Sequence, residues 1–292
     1  MKIKEVKIKV GSAKQAKLVV YLQEEYPQVY GEERQRAMVL VCPGGGYTHV
    51  SPREAEPIAL QFMSAGCNAA VLWYDVADDD IRFPQQVFEL ATAVAHLRSK
   101  AEDYHIAKDK ILVCGFSAGG HLAASLGCFW NEGWFKTSMR MALKTTNPDY
   151  RPNGLILAYP VITSGEYAHR GSFENLLGQK KESGCDIVDL SGKELEHYVS
   201  LEHHVTADVP PVFMWHTFED QAVPLQNSLL FAMALKKAGV NLEYHVFPHG
   251  GHGYALGTKQ TSGMQGKEID VQIPQWIELC KNWIDLNFHF FE

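Results

Sequence analysis

Ser117 stands in Gly115-Phe116-Ser117-Ala118-Gly119, directly after the apolar run Ile111 to Cys114 and directly before the helix-prone segment Ala118 to Leu126. G-x-S-x-G in a strand, turn, helix setting puts a serine on a sharp turn, where glycines two residues away on either side let strand and helix approach closely. Its hydroxyl then projects above a sheet edge. A serine hydroxyl is a poor nucleophile until an imidazole takes its proton, and that imidazole needs a carboxylate to fix its tautomer. Asp220 supplies the acid, in Asp220-Gln221-Ala222-Val223-Pro224 just past the apolar run Val212 to His216. His252 supplies the base, in Gly250-Gly251-His252-Gly253 just past Leu242 to Phe247. Each lies beyond a different strand, in the order serine, acid, histidine, so the three can converge at one rim.

Other residues compete for these roles. Glu219 adjoins Asp220 but points elsewhere if the aspartate points inward, and Asp208 precedes its strand, which sets it on the opposite edge. His249 is three residues from His252, and His245 falls within a strand, where it lines a face. His245, His249 and His252 have the residue types of a metal site, yet no cysteine or acidic ligand pattern accompanies them, so no metal is expected. His49 and His203-His204 receive no role. The second requirement of acyl transfer is a set of donors for the oxyanion. Gly44, Gly45 and Gly46 follow the run Met38 to Cys42, with no side chains to block a substrate. Gly45 and Gly46 are the expected donors, joined by the N–H of Ala118, the residue after the nucleophile. The glycine loop lacks the G-K-[ST] ending of a phosphate cradle.

The elements that must position these residues show in the hydropathy pattern. Strand-length apolar runs recur at Val6 to Val10, Lys17 to Leu22, Met38 to Cys42, Asn68 to Tyr74, Ile111 to Cys114, Leu155 to Tyr159, Val212 to His216 and Leu242 to Phe247. The last six are nearly continuous in apolar character, as strands covered by helices on both faces are. Helical spacing follows Pro84 (Val87, Leu90, Val94, Leu97) and Pro224 (Leu229, Leu230, Met233, Leu235, stopping at Gly239). Ala55 to Ala65 and Pro274 to Leu286 are further helices. The alternation predicts one α/β domain over residues 1–292, with a mostly parallel sheet and the two N-terminal strands as an antiparallel edge.

Two stretches break the pattern. From about 163 to 209 the chain turns polar and rich in Gly and charge, as in Gly178-Gln179-Lys180-Lys181-Glu182-Ser183-Gly184, with the helical fragment Gly192 to Tyr198. An excursion this long is expected to cap the site or wall its pocket. Asn131 to Asn153, with Trp134, Phe135, Met139 and Met141 behind Trp130, is either a second pocket wall or a surface segment packed on the core.

Composition bounds the remaining possibilities. At 292 residues, 46% hydrophobic and 21% charged, the chain is that of a globular protein with a large core. The formal charge of −7, with no basic block, offers a nucleic acid no footprint. No run approaches the roughly 18 apolar residues of a membrane span. The opening MKIKEVKIKV alternates lysine with apolar residues and so does not read as an export signal. A soluble, cytoplasmic protein is expected. The six scattered cysteines form no C-x-x-C pair and read as reduced core thiols.

Taken together, Pro43-Gly44-Gly45-Gly46-Tyr47, Ser51, the helix start Glu54 to Pro57, Gly115 through Ala123, Asp220-Gln221-Ala222-Val223-Pro224 and Gly251-His252-Gly253 resemble the α/β-hydrolase superfamily. Within it the chain resembles the small carbohydrate esterases of the acetylxylan-esterase-like and hormone-sensitive-lipase-like groups, over roughly residues 36 to 287. One departure is Pro43, where many relatives carry a histidine that organises the loop and takes no part in the chemistry. The resemblance implies a cofactor-independent serine esterase acting on short acyl esters, acetyl groups of xylose-type oligosaccharides among them. The expected partner is a small-molecule ester, with no nucleic acid and no membrane; a homo-oligomer is left open by these residues. A peptidase of the same fold would usually bring an extra domain, and a binding protein that had lost catalysis would be expected to lack one of Ser117, Asp220 and His252.

Overall fold

An apolar segment flanked by helices on both sides is most stable as a strand that sends successive side chains into two separate dry layers. In the computed structural model, which describes residues 1–30, 34–77, 81–178 and 184–289, eight strands form, and those in the middle of the sheet take this form. The strands are β1 (Lys2–Lys7), β2 (Lys17–Leu22), β3 (Arg36–Cys42), β4 (Asn68–Trp73), β5 (Ile106–Phe116), β6 (Gly154–Ala158), β7 (Val212–Thr217) and β8 (Leu242–Phe247). They form one sheet in the order β1-β2-β4-β3-β5-β6-β7-β8. β3 to β8 run parallel, while β2 is antiparallel to both β4 and β1.

The helices are α1 (Pro27–Tyr30), α2 (Glu56–Ser64), α3 (Gln85–Ser99), α4 (Ala118–Phe129), α5 (Gly133–Leu143), α6 (Arg170–Leu177), α7 (Gly192–Tyr198), α8 (Gln226–Ala238) and α9 (Trp276–Phe288). β3 shows how they sandwich the sheet. Its Met38, Leu40 and Cys42 join a core layer with Leu90 and Val94 of α3, Leu122 of α4 and Phe231 of α8. Its Val39 and Val41 join a second layer with Phe62 of α2 and Trp276 and Trp283 of α9.

The first strand lies earlier than its sequence pattern indicates. Pairing runs from Lys2 opposite Leu22 to Lys7 opposite Lys17, whereas the apolar run spans Val6 to Val10. Ile8 and Val10 are buried, but they belong to the connection that turns at Gly11, and only the Ile8 N–H continues the ladder, to Ala16 O. β1 is an edge strand with mostly exposed side chains, so apolar content is a poor guide to its limits.

The polar excursion is more regular than its composition suggests. Its described part contains α6 and α7, whose Phe173, Leu176, Leu177 and Leu195 enter the same core layer as α3 and α4. Gln179 to Ser183 of its charged stretch lie outside the described residues. In the other irregular segment, Trp134 and Phe135 of α5 pack on Phe88 of α3, and Trp134 also meets Phe129 of α4. That segment thickens the helical layer, the plainer of its two readings. No helix of the described residues is long and apolar enough to cross a membrane.

Candidate active site

The parallel strands deliver their carboxyl ends to one edge of the sheet, where ligands of such folds bind. Ser117 follows β5 at φ +53°, ψ −119°, a region that strains any residue with a Cβ, and caps the N-terminus of α4. The tightness of the turn rests on Gly119, where an added Cβ would collide with the carbonyls of Cys42 and Pro43. Ser117 N–H donates to Ala158 O of β6 and its carbonyl accepts from Val161, so the strained residue is held on both sides.

From the serine a line of hydrogen bonds runs inward. Ser117 Oγ lies 2.7 Å from His252 Nε2, and His252 Nδ1 lies 2.7 Å from Asp220 Oδ2. Because the carboxylate only accepts, Nδ1 carries the proton and Nε2 is free to accept from the serine. Asp220 Oδ1 accepts from the N–H groups of Ala222 and Val223, which fixes the plane of the carboxylate. Burial would push the Asp220 carboxyl up, but hydrogen bonds from His216 and His252, with the adjacent charge of His252, outweigh it and hold the group well below the usual carboxylate range.

His216, at the end of β7, is a participant that sequence reading left inside a strand. Its Nε2 lies 3.2 Å from Asp220 Oδ2 and 2.9 Å from Val223 O, both acceptors, so it must donate. Its other nitrogen meets Ser228 Oγ of α8. The side chain is wholly buried, and an apolar run that ends in histidine was the only available signal.

The glycine loop after β3 sorts its own hydrogen bonds. Gly44 N–H donates to Glu54 Oε2 at 2.8 Å, while Gly45 O accepts from Thr48. Gly45 and Gly46 adopt φ +128° and +61°. Among the described residues the N–H groups of Gly45, Gly46 and Ala118 have no acceptor. Two further ties fix the loop. Asn175 of α6 donates to Gly46 O at 2.8 Å. Tyr47 donates to His121 Nδ1 at 2.9 Å, and His121 Nε2 donates to Val199 O, linking the loop to α4 and to the end of α7. Burial holds the His121 pKa down at about 4, so the ring is neutral and can play both parts. At Pro43 the loop is anchored through its carbonyl, which accepts from the Tyr74 hydroxyl.

The competing side chains lie elsewhere. Glu219 turns to His249 and the Gly250 N–H at the surface, His245 pairs with Glu243, and the Asp208 carbonyl and carboxylate accept from Trp130 and Asn131. His204 packs on Tyr198 and Phe129, His203 on His197, and His49 meets Thr48. Among the described residues no group of three histidine, cysteine or acidic side chains is arranged to hold a metal ion.

A comparison with protein families finds a match over most of the chain. The family described as BD-FAE matches residues 26–235. The chain belongs to this family. It is 35% identical to Endo-1,4-beta-xylanase B of Butyrivibrio fibrisolvens over 255 residues, covering 85% of this chain and 37% of that protein. It is 27% identical over 227 residues to an acetylxylan esterase of Xylanibacter ruminicola, covering 76% of this chain and 42% of that one. The chain therefore spans under half the length of these two relatives. Among solved structures it is similar to an acetyl ester-xyloside bifunctional hydrolase from Caldicellulosiruptor lactoaceticus, with a TM-score of 0.77 and 34% identity over 96% of this chain and 90% of that one. Its fold is that of the α/β-hydrolases, with the antiparallel edge at β1 and β2.

Proposed function

We propose that this protein is a serine esterase that removes short acyl groups, acetyl foremost, from small neutral sugar esters such as acetylated xylo-oligosaccharides. The observation that carries the reading is the unbroken line Ser117 Oγ, His252, Asp220 at the carboxyl edge of the sheet, beside a loop with unspent N–H groups. As Ser117 Oγ attacks the ester carbonyl, His252 takes its proton and Asp220 stabilises the resulting imidazolium. The N–H groups of Gly45, Gly46 and Ala118 receive the negative oxygen of the tetrahedral intermediate. Collapse expels the alcohol, which takes the proton from His252 and leaves an acyl group on Ser117. Water, deprotonated by the same imidazole, attacks that acyl group, and the serine is regenerated with release of the carboxylic acid. The chemistry asks for no cofactor.

The acetyl and xylose preferences draw support from the names of the relatives, and the two curated ones are longer proteins. The described part of the excursion favours small substrates too: the apolar faces of α6 and α7 pack inward, leaving no broad apolar lid for a long chain. We take residues 1–292 as one domain with this excursion as its cap, and the cytoplasm as its compartment, supported by the buried free thiols of Cys42, Cys67, Cys114, Cys128 and Cys280. The substrate is the one partner this reading needs. In a series of p-nitrophenyl esters from acetate to decanoate, with acetate release from acetylated xylo-oligosaccharides measured alongside, kcat/KM should be highest for acetyl and fall with chain length. A maximum at the long-chain esters would overturn the short-acyl reading.

A further inference from the structure

The turn Pro52–Glu54, between the glycine loop and α2, sends two adjacent charged side chains to the two loops that must stay in register during catalysis. Glu54 is only 5% exposed. Its Oε2 accepts the Gly44 N–H at 2.8 Å and its Oε1 accepts the Tyr159 hydroxyl at 2.7 Å. That hydroxyl in turn accepts the N–H of Ala255, three residues beyond His252, at 2.9 Å. The Tyr159 ring stands edge-on to the His252 ring with centroids 5.0 Å apart, and Tyr159 itself is held at φ +37°, a strained conformation for a tyrosine. Arg53 completes the arrangement by donating to Gly253 O at 3.0 Å and to Thr261 O.

We infer that Glu54, with Tyr159 and Arg53, is a positioning brace that locks the oxyanion loop and the histidine loop into one unit around Ser117. The inference rests on the esterase reading above and deepens it. The donor and acceptor inventory makes the case for a carboxylate. Gly44 N–H and Tyr159 O–H both donate, so the group between them must accept at both ends, and the Tyr159 hydroxyl gives its one proton to Glu54 while its oxygen accepts from Ala255. An amide at position 54 would turn one of its N–H groups toward a donor. Gly44 is the contact point: a Cβ there would lie 2.8 Å from Glu54 Oε2 and 2.9 Å from Ser117 Cβ, which leaves the loop wedged between brace and nucleophile. Spending the Gly44 N–H on Glu54 also keeps it out of the oxyanion hole, where the neighbouring donors act. Preorganised donors lose their effect steeply when displaced, with about 10²-fold in rate for an ångström.

The test compares wild type, Glu54→Gln, Tyr159→Phe and the double variant by acetyl ester kinetics, thermal unfolding and hydrogen–deuterium exchange of peptides spanning 42–48 and 250–257. Tyr159→Phe keeps the ring against His252 and carries the test alone should Glu54→Gln not fold. Each single variant should lower kcat roughly 10- to 100-fold with KM within about threefold, and should speed exchange in both peptides. The double variant should fall well short of the product of the two losses, because both break one network. A lower melting temperature with unchanged kcat, or faster exchange in 42–48 while 250–257 stays as in wild type, would overturn the brace. Failure of wild type to hydrolyse any ester would instead overturn the esterase reading, and the exchange data would still decide whether the loops are coupled.

Discussion

In β3, Met38, Leu40 and Cys42 enter one apolar layer and Val39 and Val41 the other, and burial alone decides where each side chain goes. Two residues past the strand end, at Gly44, the backbone is held by directed hydrogen bonds, its N–H on a carboxylate ten residues away and its carbonyl on Ser51 N–H. The same contrast holds between the whole sheet and the rim above it. β7 lies between apolar layers, while its last turn carries Thr217 on Gly251 O and His216 on Asp220 and Ser228. Non-directional contacts tolerate exchange for residues of like volume, whereas a hydrogen-bonded rim depends on which atom stands where. The sheet therefore supplies stability and the rim supplies geometry, and substitutions should separate the two.

The largest separation is expected at Asp220. Asp220→Asn leaves the shape intact but offers His252 and His216 an amide in place of a carboxylate, and kcat should fall on the order of 10⁴-fold with little change in melting temperature. A loss under about tenfold would mean the rim does not depend on that charge. The converse case is Leu72→Ala in β4, a strand that carries none of the candidate catalytic residues. Chemical denaturation should show a loss of about 2–5 kcal/mol, with kcat at 25 °C close to wild type. A Leu72 variant that folds well yet loses activity would break the contrast.

Smaller effects come from two buried groups that titrate. Burial raises the Glu89 pKa to about 8 against the hydrogen bonds from Gln85 and Asp75 N–H. Its contribution is complete below the unfolded value near 4.5 and is lost as pH rises through 8, so the melting temperature should decline on that side. Glu89→Gln should flatten the decline, and an unchanged slope would contradict the assignment. His121 works in the opposite direction. Its lowered pKa of about 4 gives a contribution complete above the unfolded value near 6.5 and lost as pH falls toward 4.

The same contrast explains what could be read in advance. β3 to β7 show as apolar runs because both faces of each are covered, and helices α3 and α8 show through spacing and a preceding proline. The edges are less marked: β1 is almost wholly exposed and its limits do not follow its apolar residues, while β8 is half-buried. At the rim, Ser117, Asp220 and His252 stand out because a short motif and a fixed chain order mark them. Glu54, Tyr159, His216 and Asn175 carry no periodic mark. Tyr159 meets Glu54 across 105 positions and Asn175 meets Gly46 across 129, pairings that only the folded chain brings together. α6 was missed for a related reason: its buried stripe of Phe173, Leu176 and Leu177 is short and set in a polar stretch.

The central claim is that Ser117 becomes covalently acylated. Rapid acid quench of wild-type protein during turnover of an acetyl ester, followed by peptide mass spectrometry, should find one acetyl group on the peptide containing Ser117. Ser117→Ala should show neither the adduct nor hydrolysis above roughly 10⁻⁴ of the wild-type rate. Turnover by Ser117→Ala at the wild-type rate, or acetylation at another residue during productive turnover, would contradict the account.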